Sequence, residues 1–162
     1  MRRTTLLLAI IFVLMTSTDA NAAQMAAERF NEPMIDIQRE IRMEKEAEIP
    51  FTDDEIYLMG LVCIGEAEGE SELGKRLVID TILNRLYSSK WPDTINSVCY
   101  QRGQYMCLHN GRCSKLKVTN YICDLVKEEV LNQTNTEVIY FSSVGYCNGS
   151  PLFPEGGHYF SK

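Results

Sequence analysis

The chain has 162 residues, with 16 Lys+Arg against 22 Asp+Glu, a net charge of −6 and 45% hydrophobic residues. That length, once an N-terminal leader is set aside, suits one folded domain and not two. The acidic balance excludes a nucleic-acid binder working through a basic face.

Arg2 and Arg3 precede an apolar run from Leu6 to Met15, and Ala20-Asn21-Ala22 closes the segment. A basic start, a short apolar stretch and an A-x-A site compose a secretory signal, and cleavage is expected after Ala22. The run is too short to span a bilayer, which needs about 20 residues; an uncleaved amphipathic anchor is the competing reading. Residues 23–50 are polar and form an arm or linker. In it Asn31-Glu32-Pro33 reads as a helix start, and Met34, Ile37 and Ile41 follow at helical spacing.

The folded domain is expected over residues 51–162. Thr52 and Glu55 make a capping box and Phe51 with Ile56 a hydrophobic staple, so a helix starts here. Ile56, Met59, Val62 and Cys63 mark its inward face, Glu66 continues that face, and Gly69 marks its end. Ser71 and Gly74 open a second periodic stretch reaching Tyr87, with Val78, Ile82 and Leu86 on one row and Leu77, Thr81 and Arg85 beside it. Ser88 to Pro92 breaks the pattern, Asp93 to Tyr100 is a short helix, and a loop extends to about Lys115. Val118, Ile122, Leu125 and Val126 mark a third main helix fading after Leu131. Val138 to Phe141 is a short strand, and the Gly- and Pro-rich remainder is loop up to His158-Tyr159-Phe160. The fold class expected is mainly helical α+β with long loops.

Six cysteines, at 63, 99, 107, 113, 123 and 147, fit an oxidising compartment and predict disulfide-tied loops. The about 15 pairings that six cysteines allow stay open. Cys63 stands apart, because its helical position also suits a buried free thiol. Cys107, His109 and Cys113 lie close together in sequence, but no C-x-x-C pair accompanies them and the spacing matches no structural zinc pattern. No metal or other cofactor is expected.

Glu66 carries the chemistry. A carboxyl on the apolar side of a helix is costly to keep charged, and a protonated carboxyl is what a glycosidase uses to protonate a departing glycosidic oxygen. The bland alternative is a helix-end charge turned to solvent or paired with an arginine. Glu68, Glu70 and Glu72 crowd the same stretch, and a paired-carboxylate mechanism remains open. The loop Tyr100-Gln101-Arg102-Gly103-Gln104-Tyr105 interleaves amides with aromatic rings, groups that bond sugar hydroxyls and cover sugar faces. His158 is a candidate proton carrier or a packed structural residue.

Gly65-Glu66-Ala67-Glu68-Gly69-Glu70 resembles the "A-E-A-x-G-E" segment of the SleB-type cell wall hydrolases. Gly74-Lys75 with Ile82-Leu83-Asn84-Arg85 resembles that family's "G-K…I-L-N-R" helix. Trp91-Pro92-Asp93-Thr94-Ile95, then Val98, Tyr100 and Gln101, resembles "F-P-x-T-I…V-x-Y-Q", and Gly103-Gln104-Tyr105 resembles "G-Q-F". Ile139-Tyr140-Phe141 is similar to "L-Y-F", and Gly157-His158-Tyr159-Phe160 to the closing "G-N-H-x-F". The pieces run in order from about residue 56 to 160. Three features depart from the pattern: Gly65 where alanine is frequent, Glu68 where a basic or polar residue is frequent, and a cysteine-rich loop from Cys107 to Cys123. No separate wall-binding repeat is present.

The resemblance implies a domain similar to lysozyme and lytic transglycosylase folds, acting on peptidoglycan glycan strands. It places the essential acid at Glu66; Gln101, Gln104 and Tyr105 are the expected glycan-contacting residues, with Glu70 and His158 in support. Glu66 would protonate the oxygen between N-acetylmuramic acid and N-acetylglucosamine, and the muramic C6 hydroxyl would close on C1 to leave a 1,6-anhydro end. That route needs neither a metal nor a second catalytic carboxylate. A monomer exported to the periplasm, wall or exterior is expected, with neither nucleic acid nor, after signal cleavage, membrane as partner. The competing readings are an N-acetylmuramoyl-L-alanine amidase, a muramidase, and a non-catalytic wall-binding or inhibitory module.

Overall fold

The computed structural model describes residues 35, 37–41, 43 and 49–162. The expected signal segment and its cleavage site lie outside these residues. In the arm, described residues 35, 37–41 and 43 are helical, with Ile35, Ile37, Ile41 and Met43 exposed. Met1–Ala47 and Glu48–Lys162 are separate units, and the second carries the folded domain.

Helix α1 (Asp53–Ala67) begins at the expected capping box. Thr52 Oγ1 accepts the Glu55 N–H at 3.3 Å, and Glu55 Oε2 accepts the Thr52 N–H at 2.9 Å. Three acidic residues in the first turn complement the helix dipole. Met59, Val62 and Cys63 are fully buried. Helix α2 (Glu72–Leu86) starts where Ser71 Oγ accepts the Gly74 N–H at 3.0 Å, and buries Val78, Ile79, Ile82 and Leu83 completely. Short helices α3 (Ile95–Cys99) and α4 (Met106–His109) follow, then a 3₁₀ turn at Cys113–Lys115 and helix α5 (Asn120–Leu131). Helix α1 is central, packing against all four other helices. No helix among the described residues is long and apolar enough to cross a membrane.

Strand β1 (Tyr140–Ser142) overlaps the end of the predicted stretch Val138 to Phe141 and starts two residues later. The stretch read as loop after it contains two more strands, β2 (Pro151–Glu155) and β3 (His158–Ser161). All pair antiparallel in the order β1-β3-β2, with Phe141 opposite Phe160 and Ser142 opposite Tyr159. Both prolines of β2 sit on an edge strand, where a missing N–H costs little.

The sheet is fixed to α2 by polar side chains. Asn84 Nδ2 donates to the carbonyls of Asn135 at 2.9 Å and Val138 at 2.8 Å, and Arg85 Nε donates to that of Ile139 at 2.8 Å. Beside them, fully buried Asp80 accepts the Asn135 N–H at 2.7 Å, and fully buried Glu129 accepts from Thr134 and from Arg76 Nη1 at 2.7 Å. This buried seam links α2, α5 and the approach to β1.

The structure holds all six cysteines as free thiols and shows no disulfide between the expected loops. They are spread over separate elements and mostly engage other groups. Cys63 Sγ donates to the Lys75 carbonyl at 3.6 Å, matching the buried-thiol reading for that residue, and Cys147 Sγ lies 3.3 Å from Ser142 Oγ.

Glu70 supplies a long-range tie. Its carboxylate accepts the Gly157 N–H at 2.8 Å, across 87 residues of sequence, and clamps the turn between β2 and β3. Gly156 holds φ +55°, and a Cβ there would overlap the Glu70 carboxylate. Gly156→Ala is therefore expected to cost about 1–3 kcal/mol, from a left-handed residue and a displaced clamp. Denaturant unfolding checks this, and the loss should shrink in a Glu70→Ala background.

Candidate active site

Glu66 stands on the last turn of α1, half-buried, between fully enclosed Gly65 and Ala67. Its Oε1 accepts the backbone N–H of Cys107 at 3.0 Å. The loop before α4 is thereby docked on the end of α1. Gly65 explains how it fits: a Cβ at that position would overlap the Cys107 sulfur, and lie 2.6 Å from Cys107 Cβ and 3.1 Å from Cys113 Sγ. The departure from alanine is a packing requirement of this cysteine loop.

Glu66 opens on a cavity of about 300 Å³ bounded by the Gly103–Met106 loop on one side and by β1 and β3 on the other. Arg85, Gln104, Tyr105, Phe141 and His158 line it. Tyr105 takes a positive φ of 40°, which turns the chain so that its ring enters the core. Its hydroxyl lies 3.2 Å from Thr81 Oγ1. Burial pushes that hydroxyl well above the usual phenol range. Arg85 is 2% exposed, with its guanidinium 4.4 Å over the Trp91 ring and 4.9 Å over that of Tyr105. Burial pulls its pKa below the ordinary guanidinium value, while the aromatic faces offset part of the cost of enclosing the charge. His158 is packed edge-on to Phe141 with ring centroids 5.0 Å apart, and its Nδ1 is buried without a partner.

Of the residues singled out from sequence, Glu66, Gln104, Tyr105 and His158 meet in this cavity. Gln101 and Glu70 do not line it. Gln101 is half-buried with Oε1 unpartnered, and Glu70 is committed to the β2–β3 turn. Glu68 is exposed and pairs with Arg112 at 3.1 Å, so it is turned outward. Glu66 is the only carboxyl group among the cavity residues. Among the described residues no three His, Cys, Asp or Glu side chains converge as a metal-binding group.

Sequence reasoning gave Arg85 and Phe141 no role in the site. Arg85 lies four residues beyond Thr81 and seven beyond Val78, so its place on the inward face of α2 was a readable sign of a buried cation. Phe141 carried no such sign, because its position depends on strand pairing.

The profile of the family described as Cell Wall Hydrolase matches residues 69–150. That interval holds Gln101, Gln104 and Tyr105, begins three residues after Glu66 and ends before His158. The spore cortex-lytic enzyme of Halalkalibacterium halodurans is 33% identical over 75 residues, 45% of this chain and 23% of that protein. That of Oceanobacillus iheyensis is 34% identical over 62 residues, 38% of this chain and 22% of that protein. The chain thus spans less than a quarter of the length of these relatives. The catalytic domain of the Bacillus cereus SleB protein superposes with a TM-score of 0.61 at 22% identity, covering 69% of this chain and 92% of that one. The catalytic domain of the germination-specific lytic transglycosylase SleB from Bacillus anthracis gives 0.59 at 21% identity, covering 70% and 98%. These superpositions establish a shared fold.

Proposed function

Because this chain belongs to the SleB-type cell wall hydrolase family, we propose that it cuts peptidoglycan glycan strands as a lytic transglycosylase, with Glu66 as general acid and then general base. The observation that carries this reading is the single carboxyl group in the cavity. Hydrolysis with two carboxylates needs a second acid about 5–5.5 Å or about 6.5–9.5 Å from the first, and Glu68 and Glu70 are both engaged elsewhere. A one-acid route suits this arrangement. Glu66 gives its proton to the bridging oxygen between N-acetylmuramic acid and N-acetylglucosamine. It then takes the proton of the muramic C6 hydroxyl as that oxygen closes on C1.

The surroundings fit these steps. The Cys107 N–H fixes one carboxyl oxygen of Glu66, which holds the acid in one orientation before substrate arrives. The Gln104 amide and the His158 ring offer hydrogen-bonding groups to hydroxyl and acetamido oxygens, and Phe141 and Tyr105 give the cavity an apolar wall. The names of the relatives, spore cortex-lytic enzymes and a lytic transglycosylase, support the same substrate class. Action outside the cytoplasmic membrane, after export, accords with that substrate.

Mass spectrometry of muropeptides released from purified peptidoglycan tests the proposal. The expected products carry 1,6-anhydromuramic ends. Reducing ends would replace transglycosylation with hydrolysis by water. Release of peptides from intact glycan would indicate an amidase, and no release from several wall types would leave a binding module.

A further inference from the structure

The loop that docks on Glu66 contains two of the six cysteines, and they meet. Cys107 and Cys113 are buried, 2% and 8% exposed, and their sulfurs converge on one point beside α1, which Cys113 Sγ approaches to 3.1 Å and Cys107 Sγ more closely. That point is the position a Cβ of residue 65 would take. Cys113 Sγ also reaches the Leu61 carbonyl at 3.9 Å, one turn earlier on α1. Each of the other four cysteines has a different neighbour. Cys63 engages Lys75, Cys99 lies by Arg85, Cys123 by Lys127, and Cys147 by Ser142.

We propose that Cys107 and Cys113 are a covalent redox site, closing to a disulfide that staples the α4 loop beneath Gly65 and fixes the backbone donor of Glu66. In closing, each thiol loses one proton and one electron as the Cys107–Cys113 bond forms. A small-molecule disulfide or the disulfide of an oxidoreductase is cleaved to two thiols in exchange. The bond leaves the backbone hydrogen bond from Cys107 to Glu66 in place. Timing follows from chemistry. The thiolate is the attacking species, and burial, reinforced by the Cys113 and Glu66 neighbours, pushes the Cys107 thiol up in the folded protein. Closure therefore belongs to folding in an oxidising compartment, before α1 covers the pair.

The importance of the bond for activity rests on the reading of Glu66 as the acid; its formation does not. The full chain, reduced and denatured, is refolded in a glutathione redox buffer, then alkylated under denaturing conditions and digested with trypsin without reduction. Cleavage after Arg112 separates the two cysteines in sequence, so a bond appears as two peptides held together. The expected map joins the peptide of Cys107 to that of Cys113. The expected unfolding temperature is about 5–10 °C above that in dithiothreitol, an increment absent in Cys113→Ser. Recovery of both cysteines alkylated, or of either joined to another cysteine, overturns the proposal. So does a dithiothreitol-sensitive increment that persists in Cys113→Ser. A protein that forms the bond yet releases nothing from walls retains the redox site and loses the glycan reading. One that releases anhydro products with both thiols free does the reverse.

Discussion

Glu66→Gln is expected to lower muropeptide release by about 10²–10⁴-fold, the range over which a positioned acid or base contributes. At about 1.36 kcal/mol per factor of ten, this removes roughly 3–5 kcal/mol of transition-state stabilisation. The fold should hardly notice. Glutamine keeps the shape and an amide oxygen for the Cys107 N–H, and the side chain is only half-buried on the last turn of α1. The unfolding temperature is expected within about 2 °C of the parent, since no core contact is removed. Release measured on purified walls, beside a thermal melt of each protein, separates the two effects. Full activity in the variant would take Glu66 out of the chemistry. A collapse of both quantities would make it a structural residue.

Stability is expected to fall as pH rises from about 5 to 8, because of the buried carboxyl pair on the far side of α2. Asp80 is fully enclosed, and its pKa is raised from 3.8 to about 8, first by burial and then by the adjacent Glu129. In the unfolded chain the same group titrates near its ordinary value of about 3.9. Between those values the folded state holds one more proton than the unfolded one. The stabilisation is therefore complete below about pH 4 and is lost as pH climbs through about 8, with a slope approaching about 1.4 kcal/mol per pH unit. Asp80→Asn stays neutral and can still donate toward Glu129, so it should flatten this dependence and exceed the parent in stability at pH 8. Denaturant unfolding at pH 5, 6.5 and 8 reads both quantities. A parent whose stability is constant across that range would mean that the pair does not hold the extra proton.

The parts of the fold that were legible in the sequence are those fixed by near neighbours. The start of α1 could be read because Thr52 and Glu55 satisfy each other three residues apart, and the inward row of α2 could be read from its period. Glu66 belongs to this class, since it continues an apolar row on a helix whose start is locally set. The β2–β3 hairpin was not legible. Its prolines and glycines read as loop, and its order comes from pairing with β1 and from the Glu70 clamp 87 residues away. Glu70 was expected to support glycan binding, while the partner of its carboxylate, Gly157, lies at the other end of the domain. The ring partners of Arg85 and His158 illustrate the same limit. One is enclosed by rings from Trp91, Tyr105 and Tyr140, and the other by Phe141 and Phe160. Those residues become neighbours only through tertiary contact.

The space shared by Gly65 and Cys107 also orders the routes by which this sequence can change. A methyl group at position 65 has no room while the Cys107 side chain keeps its place, so the two positions are coupled and their effects will not add. A Cβ at 65 would lie 2.6 Å from the Cys107 Cβ as well as against its sulfur, so even a trimmed side chain at 107 would crowd alanine at 65 in the present backbone. The close approach of α1 and the cysteine loop thus makes a return to alanine at 65 depend on a shift of the loop backbone, and not on one side chain.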